Sequence, residues 1–285
     1  MKLKKIILGA VAALSAGLGA FAQNEAVLRP ITSVYTVEAG SSHLCDTYMT
    51  PLKYAGWQMA LGYERWQAMR FDPENWVMNL GGRLSIDRAL NPARNAVMWG
   101  LDLRLDWAMM RRFDIASAPG LTLAAGGQTT LNGGLLYLNR NSNNPASAKA
   151  AWTVGITGQA TYRLTLGRLP VVLGYRPSLP LIGCFFSPDY DELYYEIYLG
   201  NHSGLAHVAW PGSFFRLDQL LSADLRFGAT ALRVGYRCNI LSTKASNIVS
   251  RQINHCISLG VSGEWLPVGR SGKLSDEARI ISAYY

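Results

Sequence analysis

The sequence has 285 residues, a formal net charge of +8 and four cysteines. That length is enough for one large all-β domain or two small ones. The positive charge is not gathered into basic runs and no nucleic-acid motif occurs, so nucleic acid is excluded as a partner. The cysteines form no CxxC pair and have no metal-like spacing, so we expect neither a metal nor a cofactor.

The first 22 residues have the pattern of a secretory signal peptide. Residues 1–5 are basic, residues 6–19 are apolar, and Ala20-Phe21-Ala22 is a small-x-small cleavage site. The apolar run is shorter than the ~20 residues that a membrane-spanning helix needs. No later run is longer, so the remaining chain could enter a membrane only as a β-barrel.

Apolar and polar residues alternate through most of the remaining chain, which is typical of strands with two unlike faces. Helical periodicity is absent outside the signal peptide. A twelve-stranded arrangement is the alternative if 119–140 splits at its glycine pairs and a further strand pair forms elsewhere. In chain order we predict about ten strands, at roughly 31–46, 54–70, 75–88, 96–113, 119–140, 149–166, 169–186, 213–227, 229–242 and 247–266.

The fourth predicted strand contains the stretch WGLDLRLDW, from Trp99 to Trp107. Its odd positions are tryptophan or leucine, whereas its even positions include Asp102, Arg104 and Asp106. Eight residue steps span ~26 Å, or ~20 Å in height for a strand tilted by ~40°. That height matches an apolar band between two aromatic girdles, so we predict a lipid-facing odd side and a lumen-facing even side. A soluble β-sandwich with the charges outside is the alternative.

The connections between the predicted strands alternate between short and long. The long ones include DTYMTPLK after the first strand and residues 187–212 after the seventh, although STKAS after the ninth is short. Outer-membrane barrels have short periplasmic turns and longer outer loops. We therefore predict a signal peptide (1–22), a closed antiparallel transmembrane β-barrel (23–266) and a C-terminal tail (267–285), monomeric and embedded in outer-membrane lipid.

Charged residues recur on the predicted lumen face, and the basic ones are arginines. The planar guanidinium group suits a confined network because it can bridge carboxylates. A barrel of about ten strands is narrow, so we expect these side chains to fill most of it and to leave no wide pore, with a narrow small-solute channel as an alternative. The predicted network residues are Arg83, Asp102, Arg104, Asp106, Arg163, Asp218, Asp224, Arg233, Arg237 and Glu264.

The segment 187–212 concentrates acids, histidines and aromatic residues. One hypothesis is a hydrolase at the barrel rim, in which a histidine oriented by an acid activates water or a serine. The signal is weak because no paired acids lie on a neighbouring loop, so we expect no enzyme. The other hypothesis is a recognition surface for a glycan, a lipopolysaccharide or a protein, or a lid that stabilises the barrel. The weak catalytic candidates are His202, His207, Asp189, Asp191 and Ser203, and the predicted ligand-binding residues are Tyr190, Tyr194, Tyr195 and Trp210.

The cysteines can be placed by strand phase. Cys238 falls on the lipid face and Cys256 on the lumen face, so the two should not form a disulfide, and we expect free thiols. The pairing of Cys45 and Cys184 stays open. The same phase places His255 on the lipid face.

Two longer stretches and one shorter one carry a family resemblance. DTYMTPLKYAGW (46–57), SPDYDELYYEIYLGNHSGLAHVAWPGSFFRL (187–217) and LRVGYRCNI (232–240) resemble an uncharacterised family of Bacteroides-type outer-membrane barrel proteins, a domain of unknown function. The resemblance implies an outer-membrane location and brings no known activity. The tail departs from it by continuing past the expected last strand, so Trp265 or Tyr285 would be the terminal aromatic residue.

Overall fold

The computed structural model describes residues 27–141, 145–189, 193–266 and 279–285. The predicted signal peptide and most of the predicted tail lie outside the described residues. Within the described part of the chain, no helix is both long and apolar enough to cross a bilayer. The strands are β1 (Ile31–Asp46), β2 (Thr50–Ala68), β3 (Trp76–Leu90), β4 (Val97–Asp114), β5 (Leu121–Leu138), β6 (Ala146–Leu166), β7 (Leu169–Phe186), β8 (Ala206–Ala209), β9 (Phe214–Phe227), β10 (Thr230–Ala245) and β11 (Ile248–Trp265), with a helix α1 (Tyr194–Tyr198) between β7 and β8.

Ten of these strands form one closed antiparallel barrel. The order runs from β6 through β5, β4, β3, β2, β1, β11, β10 and β9 to β7, and β6 pairs with β7 to complete the ring. The four-residue β8 pairs only with the end of β7, outside the ring. The predicted ten-stranded fold is confirmed. The twelve-stranded alternative is wrong because β5 runs unbroken through both glycine pairs, and the sandwich is wrong because the sheet closes on itself.

The chain divides into two compact units. The larger comprises Arg29–Pro267 and Ile281–Tyr285 and contains the barrel. Of the smaller unit only residues 27, 28, 279 and 280 are described, and in it Leu28 and Ile280 form a parallel bridge.

The register of the strands determines how the barrel is tilted. Paired residues traced once around the ring from Trp152 on β6 return to β6 at Leu164, a displacement of 164 − 152 = 12 residues. For ten strands at ~3.3 Å per residue and ~4.8 Å between strands, this gives a tilt of ~40°. The lumen is therefore narrow enough to be filled by side chains.

The two faces of β4 show that the outside of the barrel wall is suited to lipid. Leu101, Leu103 and Leu105 are 44–46% exposed on the outside, whereas Arg104 is 7% exposed inside. Trp99 and Trp107 bracket the apolar face, as the sequence predicted. The other strands repeat the apolar outer face, and their inner faces are charged or polar, so the barrel has an apolar exterior and a polar, partly charged interior.

The connections are less regular than the sequence suggested. The connection between β1 and β2 has only three residues, 47–49, because β2 begins at Thr50. β10 and β11 meet in a two-residue turn at Ser246 and Asn247, whose φ angles of 45° and 64° are typical of a type I′ hairpin. Only 187–213 is distinctly long, and it contains α1, which the sequence pattern missed. We call the end of the barrel with this segment the loop end, and the opposite end, where β1 begins and β11 ends, the terminal end.

Introducing an arginine on the outer face tests whether lipid covers that face. Leu103→Arg should lower the free energy of unfolding by about 2–4 kcal/mol in lipid vesicles, because the charge enters the middle of the apolar band. The measurement is the urea midpoint at which the fast-migrating band of unboiled protein disappears from a gel. Leu52→Arg, at an exposed position near the loop end of β2, is the matched control and should cost about 0–1 kcal/mol. Equal costs for the two variants would contradict a lipid-covered face.

Candidate functional site

Ten charged side chains meet inside the barrel, and we call them the lumen network. They come from seven strands, and each is nearly enclosed, with 0–15% of its side chain exposed. Five carboxylates face five guanidinium groups, so the formal charges balance. The members are Glu38, Glu64, Asp106, Asp218 and Asp224 with Arg83, Arg104, Arg176, Arg233 and Arg237.

Asp218 connects the centre of the network. Its Oδ2 accepts hydrogen bonds from Arg104 Nη2 at 2.6 Å and from Arg237 Nη1 at 2.7 Å. Arg237 Nε also donates to Glu38 Oε1 at 2.9 Å, and the other oxygen of Glu38 accepts from Arg83 Nε at 2.8 Å. A continuous ionic chain therefore crosses the lumen from β9 through β10 and β1 to β3.

A second group lies around Glu64. Arg233 binds Asp224 through both Nε and Nη2, at 2.6 and 2.7 Å, and its Nη1 lies 3.3 Å from Glu64 Oε2. Arg176 approaches both oxygens of Glu64. Paired, directed contacts of this kind compensate for the loss of hydration that burial imposes on each charge.

Seven of the ten predicted network residues lie in the lumen network and three lie apart from it. Asp102 accepts from Asn132 Nδ2 at 2.6 Å. Arg163 is exposed and donates to Thr122 Oγ1 at 3.0 Å. Glu264, at the terminal end, accepts from the Ser282 hydroxyl and lies 4.0 Å from Arg226 Nη2.

Sequence reasoning missed three members of the network. Glu38, Glu64 and Arg176 occupy lumen positions of the alternating strands β1, β2 and β7. In each strand the positions that alternate with the charged residue are apolar and exposed. Tyr35 and Val37, in the strand of Glu38, are examples. The alternation was thus sufficient to find these residues.

The C-terminal residues close the terminal end of the lumen. The Tyr284 ring packs against Trp66 at 5.2 Å between centroids, and the Arg233 guanidinium lies 5.1 Å from its centre. Tyr285 donates to Asp224 Oδ2 at 3.3 Å. Trp265, the other predicted terminal aromatic residue, ends β11 and is 65% exposed on the outside.

Tyr194 fixes the 187–213 segment to the barrel rim. Its hydroxyl accepts a hydrogen bond from the backbone N–H of Ala148 at 2.6 Å, and its ring packs edge-to-face on Tyr48 at 5.8 Å. Burial raises the pKa of the Tyr194 phenol above its usual value. By contrast, Tyr195 is 66% exposed and Trp210 is 58% exposed. Tyr190 lies outside the described residues.

The described contacts of His207 involve neither an acid nor a serine side chain. His207 Nε2 lies 3.0 Å from the carbonyl oxygen of Ser187, and the ring packs at a tilt against Phe185, with 5.5 Å between centroids. Neither contact orients His207 towards a nucleophile. His202 and Ser203 are exposed where the chain turns, Asp189 lies beside Gly204, and Asp191 lies outside the described residues. In the described part of the chain, no cluster of three metal-ligating side chains occurs.

The four cysteines are free thiols. Cys256 is buried in the lumen with its Sγ 3.4 Å from Gln58 Oε1, whereas Cys238 is half-buried beside His255 on the outside. His255 is exposed there, and its Nδ1 lies 2.6 Å from the Tyr236 hydroxyl. This contact gives the polar His255 ring a hydrogen-bond partner on an otherwise apolar surface.

Comparison with known proteins gives a family but no activity. The profile of a family described as "Protein of unknown function (DUF3316)" matches residues 6–270. No curated protein matches the sequence.

Several solved structures have a similar chain path. The outer membrane protease OmpT from Escherichia coli is 8% identical, covers 86% of this chain and 99% of its own, and has a TM-score of 0.48. The translocator domain of the autotransporter NalP from Neisseria meningitidis is 11% identical, with 91% and 95% covered and a TM-score of 0.38. An outer membrane channel from Pseudomonas putida F1 is 10% identical, with 87% and 100% covered and a TM-score of 0.37.

Removing the central carboxylate tests the network. Asp218→Asn leaves two buried guanidinium groups short of a charged partner, so we expect the free energy of unfolding to fall by about 3–5 kcal/mol. The urea midpoint of the heat-modifiable gel band measures it. Glu74→Gln, at an exposed position of the β2–β3 turn, is the control and should change little. A loss below about 1 kcal/mol in Asp218→Asn would mean that the network contributes no more than surface pairs do.

Docking of Tyr194 should depend on pH. An unfolded tyrosine has a pKa of about 10, and the pKa of docked Tyr194 is higher, so docking binds the proton more tightly. Docking is therefore constant below about pH 10 and weakens as the pH rises above that value. Subtilisin cleavage within 199–205, corrected by the cleavage of a free peptide of the same sequence, should accelerate above pH 10.

Tyr194→Phe provides the control for this measurement. It removes the phenol and the hydrogen bond from Ala148, so cleavage at pH 8 should rise about 5-fold, equivalent to about 1 kcal/mol. The corrected rate in this variant should then be independent of pH. An identical pH profile in both proteins would show that Tyr194 does not control the loop.

Proposed function

The chain belongs to the DUF3316 family of proteins of unknown function, and we propose that it is an outer-membrane barrel that holds its lumen closed and displays the 187–213 segment to recognise surface glycans. The observation that carries this proposal is the contrast within that segment. One tyrosine is buried and fixes the segment to the rim, while the neighbouring aromatic residues are exposed.

The closed lumen argues against a role in free diffusion. The lumen network crosses the barrel, and Tyr284 fills the space beneath Arg233 at the terminal end. A solute passing through would have to separate buried ion pairs whose partners lie 2.6–2.9 Å apart. The narrow-channel alternative needs an open path, which this packing does not provide.

The barrel wall supports an outer-membrane location. Its exposed residues are leucine, isoleucine, valine and aromatic residues, as on β4, and a closed barrel leaves no unpaired strand edge in lipid. The 187–213 segment is the largest structure at the loop end, and long loops of such barrels face the cell exterior.

The exposed rings define the type of ligand. Tyr195 and Tyr198 on α1 are 66% and 82% exposed, and Trp210 is 58% exposed. Tyrosine and tryptophan provide large contact areas with a polar group at one edge, which favours ligands that have apolar faces and many hydroxyl groups. Asn201 and His202 follow α1 and provide additional polar contacts. The sugar portion of a surface glycan or of lipopolysaccharide has this chemistry.

The rim-hydrolase alternative has less support. It requires a histidine held between an acid and a nucleophile, whereas the described contacts of His207 are with a carbonyl oxygen and a phenylalanine ring.

Binding of purified oligosaccharides tests the proposal. The wild-type barrel in detergent should bind lipopolysaccharide core oligosaccharide by isothermal titration calorimetry, and the double variant Tyr195→Ala/Tyr198→Ala should weaken binding at least 10-fold, since exposed aromatic anchors dominate such contacts. Phe71→Ala removes an aromatic ring that is 60% exposed in the β2–β3 turn at the terminal end, and it should leave binding unchanged.

The same preparation distinguishes the alternatives. In a planar bilayer it should show no stable porin-sized conductance, and such a conductance would overturn the closed lumen. Equal glycan affinity of the wild type and the double variant would overturn recognition through α1. Hydrolysis of a phospholipid or peptide that is lost in His207→Ala would favour the rim hydrolase.

A further inference from the structure

Basic side chains cluster on the outer face of the barrel wall near its loop end. Every aspartate and glutamate of the described strands occupies a lumen-facing position of the alternation, so these strands carry no acid on the outer face of the wall. Basic residues do occur there, on five strands that are adjacent in the sheet, β3, β2, β1, β11 and β10. We call them the basic belt, and its members are Arg88, Lys53, His43, Arg251 and Lys244.

The strand register brings the members of the basic belt next to one another. Arg251 is paired with Ser242 on β10 and with Cys45 on β1. Each of these two partners is two residues away, along its own strand, from the next member of the belt. On the other side of the belt, Arg88 is paired with Trp57 of β2. The belt is therefore one continuous patch rather than a set of scattered charges.

All five members lie near the height of Trp99, which belongs to the aromatic girdle at the loop end. At a strand tilt of ~40°, one step between paired residues changes the height by about 3 Å, and one residue along a strand changes it by about 2.5 Å. Counted in this way, the members lie within about 5 Å of Trp99 in height. The Arg88 guanidinium also lies 5.8 Å from the centre of the Trp99 ring. Aromatic girdles lie at the level of the lipid headgroups, so the basic belt faces headgroups too.

The positive charge of the basic belt is not neutralised within the protein. None of the ion pairs among the described residues includes a member of the belt. All members except the half-buried Arg88 are exposed. The wall on the other side of the barrel is aromatic near this height, as at Tyr137 on β5 and Trp152 on β6. The charge is thus confined to one side of the barrel and is available to an anionic partner.

We propose that the basic belt and the apolar wall below it bind a phosphorylated lipid of the lipid A type, with its phosphates on the belt and its acyl chains on the wall. Guanidinium groups bind phosphate oxygens through paired hydrogen bonds. Below the belt, Val37, Leu259 and Ile257 are 53–63% exposed and provide the apolar surface for the chains. The site rests on the proposed orientation, with the loop end facing the cell exterior, but not on glycan recognition by α1.

A comparison of two lipids tests the proposal on the wild-type protein. In an uncharged detergent, the barrel should retain diphosphoryl lipid A in native mass spectrometry. It should bind dephosphorylated lipid A with the same acyl chains at least 10-fold more weakly, because basic residues at a membrane surface attract anionic headgroups. Inorganic phosphate at the same concentration should not displace the lipid. Equal affinity for the two lipids, or displacement by inorganic phosphate, would overturn the proposal.

Charge-neutralising variants locate the site on the wall. Lys244→Gln/Arg251→Gln should weaken binding of diphosphoryl lipid A at least 10-fold. The matched control Arg111→Gln/Arg168→Gln removes two exposed charges near the terminal end, and it should bind the lipid as the wild type does. Equal affinity of the wild type and the belt variant would overturn the belt as the binding surface, as would an equal loss in both variants.

The double variant Tyr195→Ala/Tyr198→Ala separates this site from glycan recognition. Lipid A contains no core oligosaccharide, so this variant should bind lipid A with the affinity of the wild type. Absence of lipid A binding in a barrel that still binds core oligosaccharide would overturn the lipid site alone. The reverse result would support the lipid site and overturn recognition through α1.

Discussion

The structure depends on pairing buried guanidinium and carboxylate groups inside a cylinder whose outside is apolar. Lipid leaves no place for charge in the middle of the outer face, so the charged side chains at that height, such as Glu38, Arg104 and Asp218, turn inward. Inside, there is little water to solvate them, and each charge must find a partner at hydrogen-bonding distance. Asp218, which binds Arg104 and Arg237 together, shows how one carboxylate connects strands that are far apart in sequence.

This requirement also explains the choice of residue. A lysine offers one point charge, whereas the two nitrogens of Arg233 bind both oxygens of Asp224 and its third nitrogen reaches Glu64. Arg237 similarly joins Glu38 to Asp218. The branching of these contacts turns separate pairs into a network that occupies the lumen and links β1, β9 and β10 through their side chains.

Strand phase was the part of the structure that the sequence could predict. Period-two alternation placed Arg104 inside, Leu103 outside and Cys256 in the lumen, because in a barrel wall each face meets one kind of environment. Phase does not reveal height or the partner across the lumen. Hence Asp102 and Glu264 lie on the predicted face but outside the network.

The 187–213 segment and the tail were harder to predict because neither follows a periodic pattern. Tyr194 docks against Tyr48 and Ala148, which lie close together in the fold but a hundred residues apart in sequence. α1 is a five-residue helix, too short to show helical periodicity. The position of Tyr284 depends on contacts with Trp66 of β2 and Arg233 of β10, which only the closed barrel brings together.

The enclosed position of Tyr284 and Tyr285 has a consequence for how the molecule can be assembled. Tyr284 and Tyr285 touch residues of β2, β9, β10 and β11, which are adjacent only after the wall has closed. Tyr284 and Tyr285 can therefore take up these contacts only once β1 and β11 have paired. A tag or domain fused after Tyr285 must leave room at its junction for both rings to keep their contacts inside the barrel wall.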